Sequence, residues 1–265
     1  MLAPAPRFAP PEDRLTYHHS ERRVRGSIGE VVVVDSRRPL LVWEPGLPVP
    51  FYTFALTDVV GATLRPAAQP PAPGSRAGST FHDLTVGGLT LPNAAWTYPG
   101  DVFAETVCLA WREWFGQGIE RWYEEDEEVF VHPRDPFSRV DSLPSSRHVV
   151  VSHEGVVLAD THRPVLLFET GLPTRYYIPA DDLVQGLLLP SEHRTRCPYK
   201  GVASYWSLGG VPGAEGRDIA WYYPDPLPGV ANIAGLTAFY PERVTILVDG
   251  ESVSPATAPR GDGRS

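Results

Sequence analysis

The sequence is short of lysine and cysteine, and each shortage excludes a class of protein. Among its 23 basic residues only Lys200 is a lysine, and 32 acidic residues bring the net charge to −9. Nucleic acid is therefore not expected as a partner, because phosphate binding needs a clustered positive surface. The two cysteines cannot build a disulfide framework or a paired CxxC zinc site, which fits a reducing cytoplasm.

Long apolar runs are missing as well. No stretch approaches 18 apolar residues, and residues 1–23 mix Pro, Arg, His and Glu without the apolar segment of a signal peptide. We therefore expect a cytoplasmic protein with no membrane partner. Residues 1–23 and 254–265 have the composition of disordered tails.

A repeat with a fixed offset of 125 residues organises the rest of the chain. Residues 38–52 match residues 163–177 at eight of fifteen positions, and three more identities follow at the same offset: Trp96 with Trp221, Tyr98 with Tyr223 and Pro99 with Pro224. Such self-similarity indicates a duplicated structural unit. We predict two domains, 24–144 and 145–253, with a hinge at residues 142–146. Since both copies lie in one chain, we also predict a monomer with an internal pseudo-two-fold pairing.

Short runs of Val, Ile, Leu, Tyr and Trp lie between the 29 prolines and 24 glycines. This pattern predicts a mainly β protein with few short helices. Helical signals are limited to residues 179–184 and to residues 103–115, which are equally typical of a strand.

The second copy carries a reactive-looking segment, Cys197-Pro198-Tyr199-Lys200-Gly201. A nearby cation favours the thiolate, and an amine can act as a base or form an imine, so Cys197 and Lys200 are candidate catalytic groups. The alternative is that Cys197 is a small buried residue and Lys200 a solvated charge. The first copy has Ala72 and Ser75 at these two positions, which predicts a degenerate site there.

Polar and aromatic residues of the second copy are candidates for binding a ligand: Arg163, Glu169, Tyr177, Ser204, Trp206, Trp221 and Tyr223. Amphipathic rings line small-molecule pockets, although they also fill cores. Arg163 and Glu169 recur in the first copy as Arg38 and Glu44, which favours a structural role for them. We interpret the acidic run at residues 124–128 as a solvated face, predict no metal site and assign no cofactor.

Several segments together resemble the bacterial domain of unknown function 427 family in its tandem two-copy form. They are residues 122–136, 144–148, 163–177, 197–206, 220–224 and 238–240, and the resemblance covers Val31 to Asp249. It implies two repeated β-tent-like domains of small antiparallel sheets, related in shape to domains that bind small ligands. It brings no established activity.

The family also carries a provisional nucleotidyltransferase label. This sequence has no Gly-Ser followed by Asp-x-Asp and no Gly-rich phosphate loop, so we do not expect nucleotidyl transfer. Small-molecule binding in the second domain is the leading hypothesis. The alternatives are an enzyme that uses Cys197 or Lys200 on a small carbonyl or activated compound, and a scaffold whose aromatic residues are all core.

Overall fold

The structure is a computed structural model that describes residues 13–72 and 74–253. The chain divides into two compact units between Phe137 and Ser138. Residues 1–12 of the first predicted tail, and the whole of the second one at 254–265, lie outside the described residues. Among the described residues, no helix is long and apolar enough to cross a membrane.

In its described residues, the first unit has eleven strands in two antiparallel sheets. The strands are β1 (Thr16–His19), β2 (Val24–Ile28), β3 (Val31–Ser36), β4 (Leu40–Trp43), β5 (Phe51–Ala55), β6 (Thr63–Pro66), β7 (Thr80–Val86), β8 (Leu89–Thr97), β9 (Thr106–Leu109), β10 (Arg121–Glu124) and β11 (Glu127–Val129). One sheet has the order β1-β4-β5-β9-β8-β7-β6 and the other the order β11-β10-β2-β3. The helical pieces are short: α1 (Ser75–Gly78), α2 (Arg112–Phe115) and 3-10 turns at Leu56–Asp58 and Asp101–Phe103.

The second unit has a matching set of strands. Its strands are β12 (Val140–Pro144), β13 (Val149–His153), β14 (Val156–Thr161), β15 (Val165–Glu169), β16 (Arg175–Tyr177), β17 (Leu188–Cys197), β18 (Gly201–Leu208), β19 (Ala220–Tyr222), β20 (Thr237–Phe239), β21 (Thr245–Val248) and β22 (Glu251–Ser252). They form sheets of order β12-β15-β16, β14-β13-β21-β22 and β17-β18-β19-β20. The part of this unit that the structure describes has two 3-10 turns, at Ala180–Asp182 and Pro228–Ile233.

Every strand of the first unit has a counterpart eleven places later. The sheet β11-β10-β2-β3 corresponds to β22-β21-β13-β14, and the larger sheet corresponds to β12-β15-β16 followed by β20-β19-β18-β17. A single bridge between Ile178 and Thr237 stands where β5 and β9 form a continuous ladder. The prediction of a mainly β protein in two copies is confirmed.

The strand boundaries differ from the predicted domain limits. Strand β1 lies inside the segment expected to be a tail, and it pairs with β4 from Thr16 opposite Trp43 to His19 opposite Leu40. Strand β12 contains part of the expected hinge and pairs with β15. Both strands extend an edge of a sheet, and short polar edge strands have a weak sequence signal. The first unit therefore begins before residue 24, and the second begins before residue 145.

Buried rings fill the core of the first unit. Trp122 stacks on Phe54 and Trp111 with ring centroids 5.7 and 4.9 Å apart, and Tyr52 packs against the same group. Strand alternation places Glu124 on the same face as Trp122, where it is only 4% exposed. It accepts hydrogen bonds from Tyr52 Oη at 2.5 Å and Arg22 Nη1 at 2.7 Å. The solvated interpretation of residues 124–128 is therefore wrong for Glu124.

The sheet β17-β18-β19-β20 separates two cores in the second unit. Tyr205 lies opposite Trp221 and packs with it in one core, whereas Trp206 lies opposite Ala220 and packs in the other. Alternate residues of a strand point to opposite faces, so neighbours in sequence are assigned to different cores.

We expect Gly118→Ala to destabilise the first unit by about 3 kcal/mol or more, through steric overlap added to backbone strain. Gly118 has φ +114°, and a Cβ there would lie 2.2 Å from the Ala110 carbonyl oxygen, which already accepts the Ile119 N–H. Urea unfolding measures the change.

Gly88→Ala is the matched control, because Gly88 has φ +87° and open space around it. Only strain of about 1 kcal/mol is expected there. Equal losses in the two variants would contradict the steric argument.

Candidate functional site

A buried ion pair lies at the end of β15. Lys200 Nζ donates to Glu169 Oε2 at 2.5 Å, and each side chain is 11% exposed. Glu169 is the last residue of β15, and Lys200 lies in the turn that joins β17 to β18. Two residues that are 31 positions apart therefore meet through the packing of two sheets.

The turn that carries Lys200 depends on Gly201. Gly201 has φ +101°, a conformation that side chains rarely adopt, and its Cβ position would lie 3.3 Å from the Asp225 carbonyl oxygen. The Lys200 carbonyl accepts the Leu227 N–H at 3.1 Å, which fixes the turn against the following loop. The backbone thus aims the lysine at Glu169.

Three predicted aromatic residues lie together beside this pair. Tyr177 is fully buried, and Trp221 and Tyr223 are nearly so. Trp221 Nε1 donates to Tyr177 Oη at 3.2 Å, with the two rings edge to face. Burial is the main cause that raises the pKa values of Tyr177 and Tyr223, and both are also raised by the neighbouring Cys197 and Glu169. The phenols stay neutral and act as hydrogen-bonding groups. Cys197 is a free, half-buried cysteine at the edge of this cluster.

Arg175 completes the cluster, although the sequence reasoning did not select it. Its guanidinium carbon lies 5.5 Å from the centre of the Trp221 ring, and Tyr240 packs on the same ring at 4.5 Å. Within the described residues, Arg175 Nη1 is buried without a hydrogen-bond partner. The available signal was its place in the repeated signature, where the first copy has Pro50.

The remaining predicted residues lie elsewhere. Arg163 is 61% exposed and pairs with Asp182 at 2.9 Å, away from Glu169. Ser204 and Trp206 lie on the other face of β18, opposite Tyr222 and Ala220. Trp206 stacks on Tyr222 at 5.0 Å. The structure therefore brings together six of the nine predicted residues: Glu169, Tyr177, Cys197, Lys200, Trp221 and Tyr223.

The first unit contains an equivalent ion pair with a different cation. Glu44, the counterpart of Glu169, is 5% exposed and accepts from Arg76 Nη2 at 2.7 Å and from Tyr98 Oη at 2.6 Å. Arg76 lies one residue beyond Ser75, the position that aligns with Lys200. The first unit therefore keeps a cation for this carboxylate, at a position one residue later in the chain.

Arg76 also occupies the aromatic cluster of the first unit. Its guanidinium carbon lies 4.7 Å from the Phe51 ring centre, 4.1 Å from Trp96 and 4.8 Å from Phe115, which are cation–π distances. Cys108 is fully buried nearby, and burial raises the pKa of its thiol. The Arg76 side chain thus occupies the space among the rings of the first unit.

Comparison with known families identifies this architecture. A family model described as a domain of unknown function (DUF427) matches residues 16–110 and 141–250. The chain belongs to the DUF427 family. The two matched segments correspond to the two units, so the tandem arrangement expected from the repeat is confirmed. A search of curated proteins found no match.

We expect Lys200→Met to destabilise the second DUF427 unit by about 3–5 kcal/mol, because Glu169 would remain buried without a counter-charge. Adding Glu169→Gln to Lys200→Met removes the unpaired charge. The double variant should therefore lose less unfolding free energy than the sum of the losses in the two single variants. Urea unfolding of the four proteins gives the coupling energy. Strict additivity would contradict a net interaction between these two side chains.

Proposed function

We propose that this DUF427 protein binds a small molecule at the Arg175 side of the second-unit cluster. The observation that carries the proposal is the buried, unpaired Nη1 of Arg175 next to Trp221. A buried donor without a partner costs free energy, and a ligand carboxylate or carbonyl would remove that cost. The ligand class is therefore a small compound with an acceptor group and an apolar body.

The surroundings of Arg175 support this ligand class. Trp221 and Tyr240 offer ring surface for an apolar body, and Tyr240 and Cys197 are only half-buried. The equivalent cluster of the first unit holds the Arg76 guanidinium among three rings. The first copy thus holds the Arg76 guanidinium among its rings, whereas the Arg175 guanidinium of the second copy keeps a donor nitrogen without a partner in the part of the chain that the structure describes.

Binding is favoured over catalysis by the pairing of Lys200. Its ammonium already donates to the Glu169 carboxylate, so Lys200 is engaged within the protein. This contact opposes a catalytic role for Lys200, because a substrate would have to displace Glu169 from the lysine.

We propose a cytoplasmic location, because a reducing compartment suits two cysteines that form no disulfide. The presence of both units in one chain leads us to propose a monomer.

Binding is tested with benzoate and indole-3-carboxylate, which pair an acceptor with a planar apolar body. We expect both to bind by isothermal titration calorimetry, and Arg175→Gln to weaken binding at least about tenfold because a charge-assisted hydrogen bond is lost. The matched control is Arg65→Gln, which alters an exposed arginine of the first unit. Equal binding by Arg175→Gln and Arg65→Gln, or no binding by the wild type, would contradict the proposal.

The enzyme alternative is tested by alkylating Cys197 with iodoacetamide across pH, using Cys108→Ser to leave one thiol. We expect Cys197 to react no faster than glutathione at neutral pH, and Lys200→Met to change this rate little. A fast reaction that slows in Lys200→Met would instead indicate an activated nucleophile. In Cys197→Ser, the buried Cys108 should stay unmodified until the protein unfolds.

A further inference from the structure

A second cluster of chemistry-bearing residues lies on the sheet β14-β13-β21-β22, outside the proposed ligand site. The register pairs Val149 with Thr161 and Val150 with Asp160, so His148 and His162 continue it as the next opposite pair. Opposite residues of antiparallel strands share a face, as do residues two apart in a strand. The three side chains of His148, Asp160 and His162 therefore project from one face.

Their polar atoms are close together. His148 Nε2 lies 2.7 Å from Asp160 Oδ1, and the two imidazole rings stack with centroids 4.1 Å apart and 13° between their planes. One ligand atom from each of the three residues lies within 4.8 Å of the others. No sequence pattern indicated this cluster, because His148 and His162 are 14 positions apart and meet only through strand pairing.

The corresponding positions of the first unit hold a different set of side chains. At the same offset it has Arg23, Asp35 and Arg37. Arg23 donates from Nε and Nη2 to the two oxygens of Asp35, at 2.8 and 2.5 Å. Arginine stays protonated and offers no lone pair for a metal ion. By donating to both oxygens of Asp35, Arg23 also makes that carboxylate unavailable as a ligand. The second unit retains the aspartate and replaces both arginines with residues that can coordinate a metal.

The guanidinium groups near the cluster are bound by other carboxylates. Arg147 donates to Asp249 Oδ2 at 2.7 Å, and Arg163 donates to Asp182 at 2.9 Å. Asp249 Oδ1 also accepts the His148 backbone N–H at 3.0 Å, which fixes the start of β13. Repulsion of a cation by these arginines is therefore reduced.

We propose that His148, Asp160 and His162 form a surface binding site for a divalent ion of the zinc class. Two imidazole nitrogens and one carboxylate oxygen suit Zn²⁺ and its neighbours Co²⁺ and Ni²⁺, and not Mg²⁺ or Ca²⁺, which prefer oxygen ligands. The stacked rings cannot both point their lone pairs at one ion, so one ring turns on binding. His162 is exposed and can make this rotation. Three protein ligands leave a coordination position open for water or another small ligand.

The test uses the full chain in a Cys108→Ser/Cys197→Ser background, treated with chelator, so that no thiol competes for metal. We expect one equivalent of Zn²⁺ to bind by calorimetry, and Co²⁺ to give the visible absorption of a coordinated ion. His162→Gln and Asp160→Asn should each weaken Zn²⁺ binding at least about tenfold. His148→Arg/His162→Arg, which copies the first unit, should abolish it.

His193→Gln, outside this cluster, should bind as the parent does, and circular dichroism verifies the fold of each variant. A second group, His153, Glu154 and Glu215, offers three ligand atoms at similar spacing. Loss of binding in His153→Gln instead of His162→Gln would overturn the proposal. Absence of Zn²⁺ binding, or equal binding by the parent and the doubly arginine-substituted variant, would overturn it as well.

Discussion

The structure of each DUF427 unit depends on one buried carboxylate at the end of a central strand. Glu44 and Glu169 occupy equivalent positions, and neither tolerates burial without a counter-charge. The cation comes from the connection between β6 and β7 in the first unit and from the turn between β17 and β18 in the second, so the pair ties that connection to the strand end. Because the carboxylate must be neutralised, the two copies keep a positive charge here even though they differ in the residue that provides it.

The choice of cation decides whether the neighbouring aromatic cluster is filled. A guanidinium is planar and stacks on rings, so Arg76 satisfies Glu44 and covers Phe51, Trp96 and Phe115 together. The ammonium of Lys200 is a compact point charge and satisfies Glu169 alone. In the second unit Arg175 is the arginine that contacts the Trp221 ring, and its Nη1 has no hydrogen-bond partner among the described residues. The difference between arginine and lysine therefore gives the two copies different chemistry on one scaffold.

The two units differ in a similar way where β2 pairs with β3 in the first unit and β13 pairs with β14 in the second. Arg23 and Asp35 form a closed bidentate pair in the first unit, whereas His148 and Asp160 leave lone pairs available in the second. In both places a carboxylate of the first unit is bound by an arginine of the same unit. The second unit presents groups that an external ligand or ion can satisfy, which is consistent with duplication followed by specialisation of one copy.

The sequence by itself determined the duplication and the mainly β class, and it singled out the Glu169 and Lys200 segments as candidates. These follow from local identity and from the short apolar runs between prolines and glycines. Tertiary structure alone decided which residues meet. Strand alternation moved Ser204 and Trp206 to the far face of β18, and the connection between β6 and β7 brought Arg76 to Glu44. Antiparallel register set His162 opposite His148. Such contacts join residues tens of positions apart, and a linear pattern carries no record of the register that pairs them.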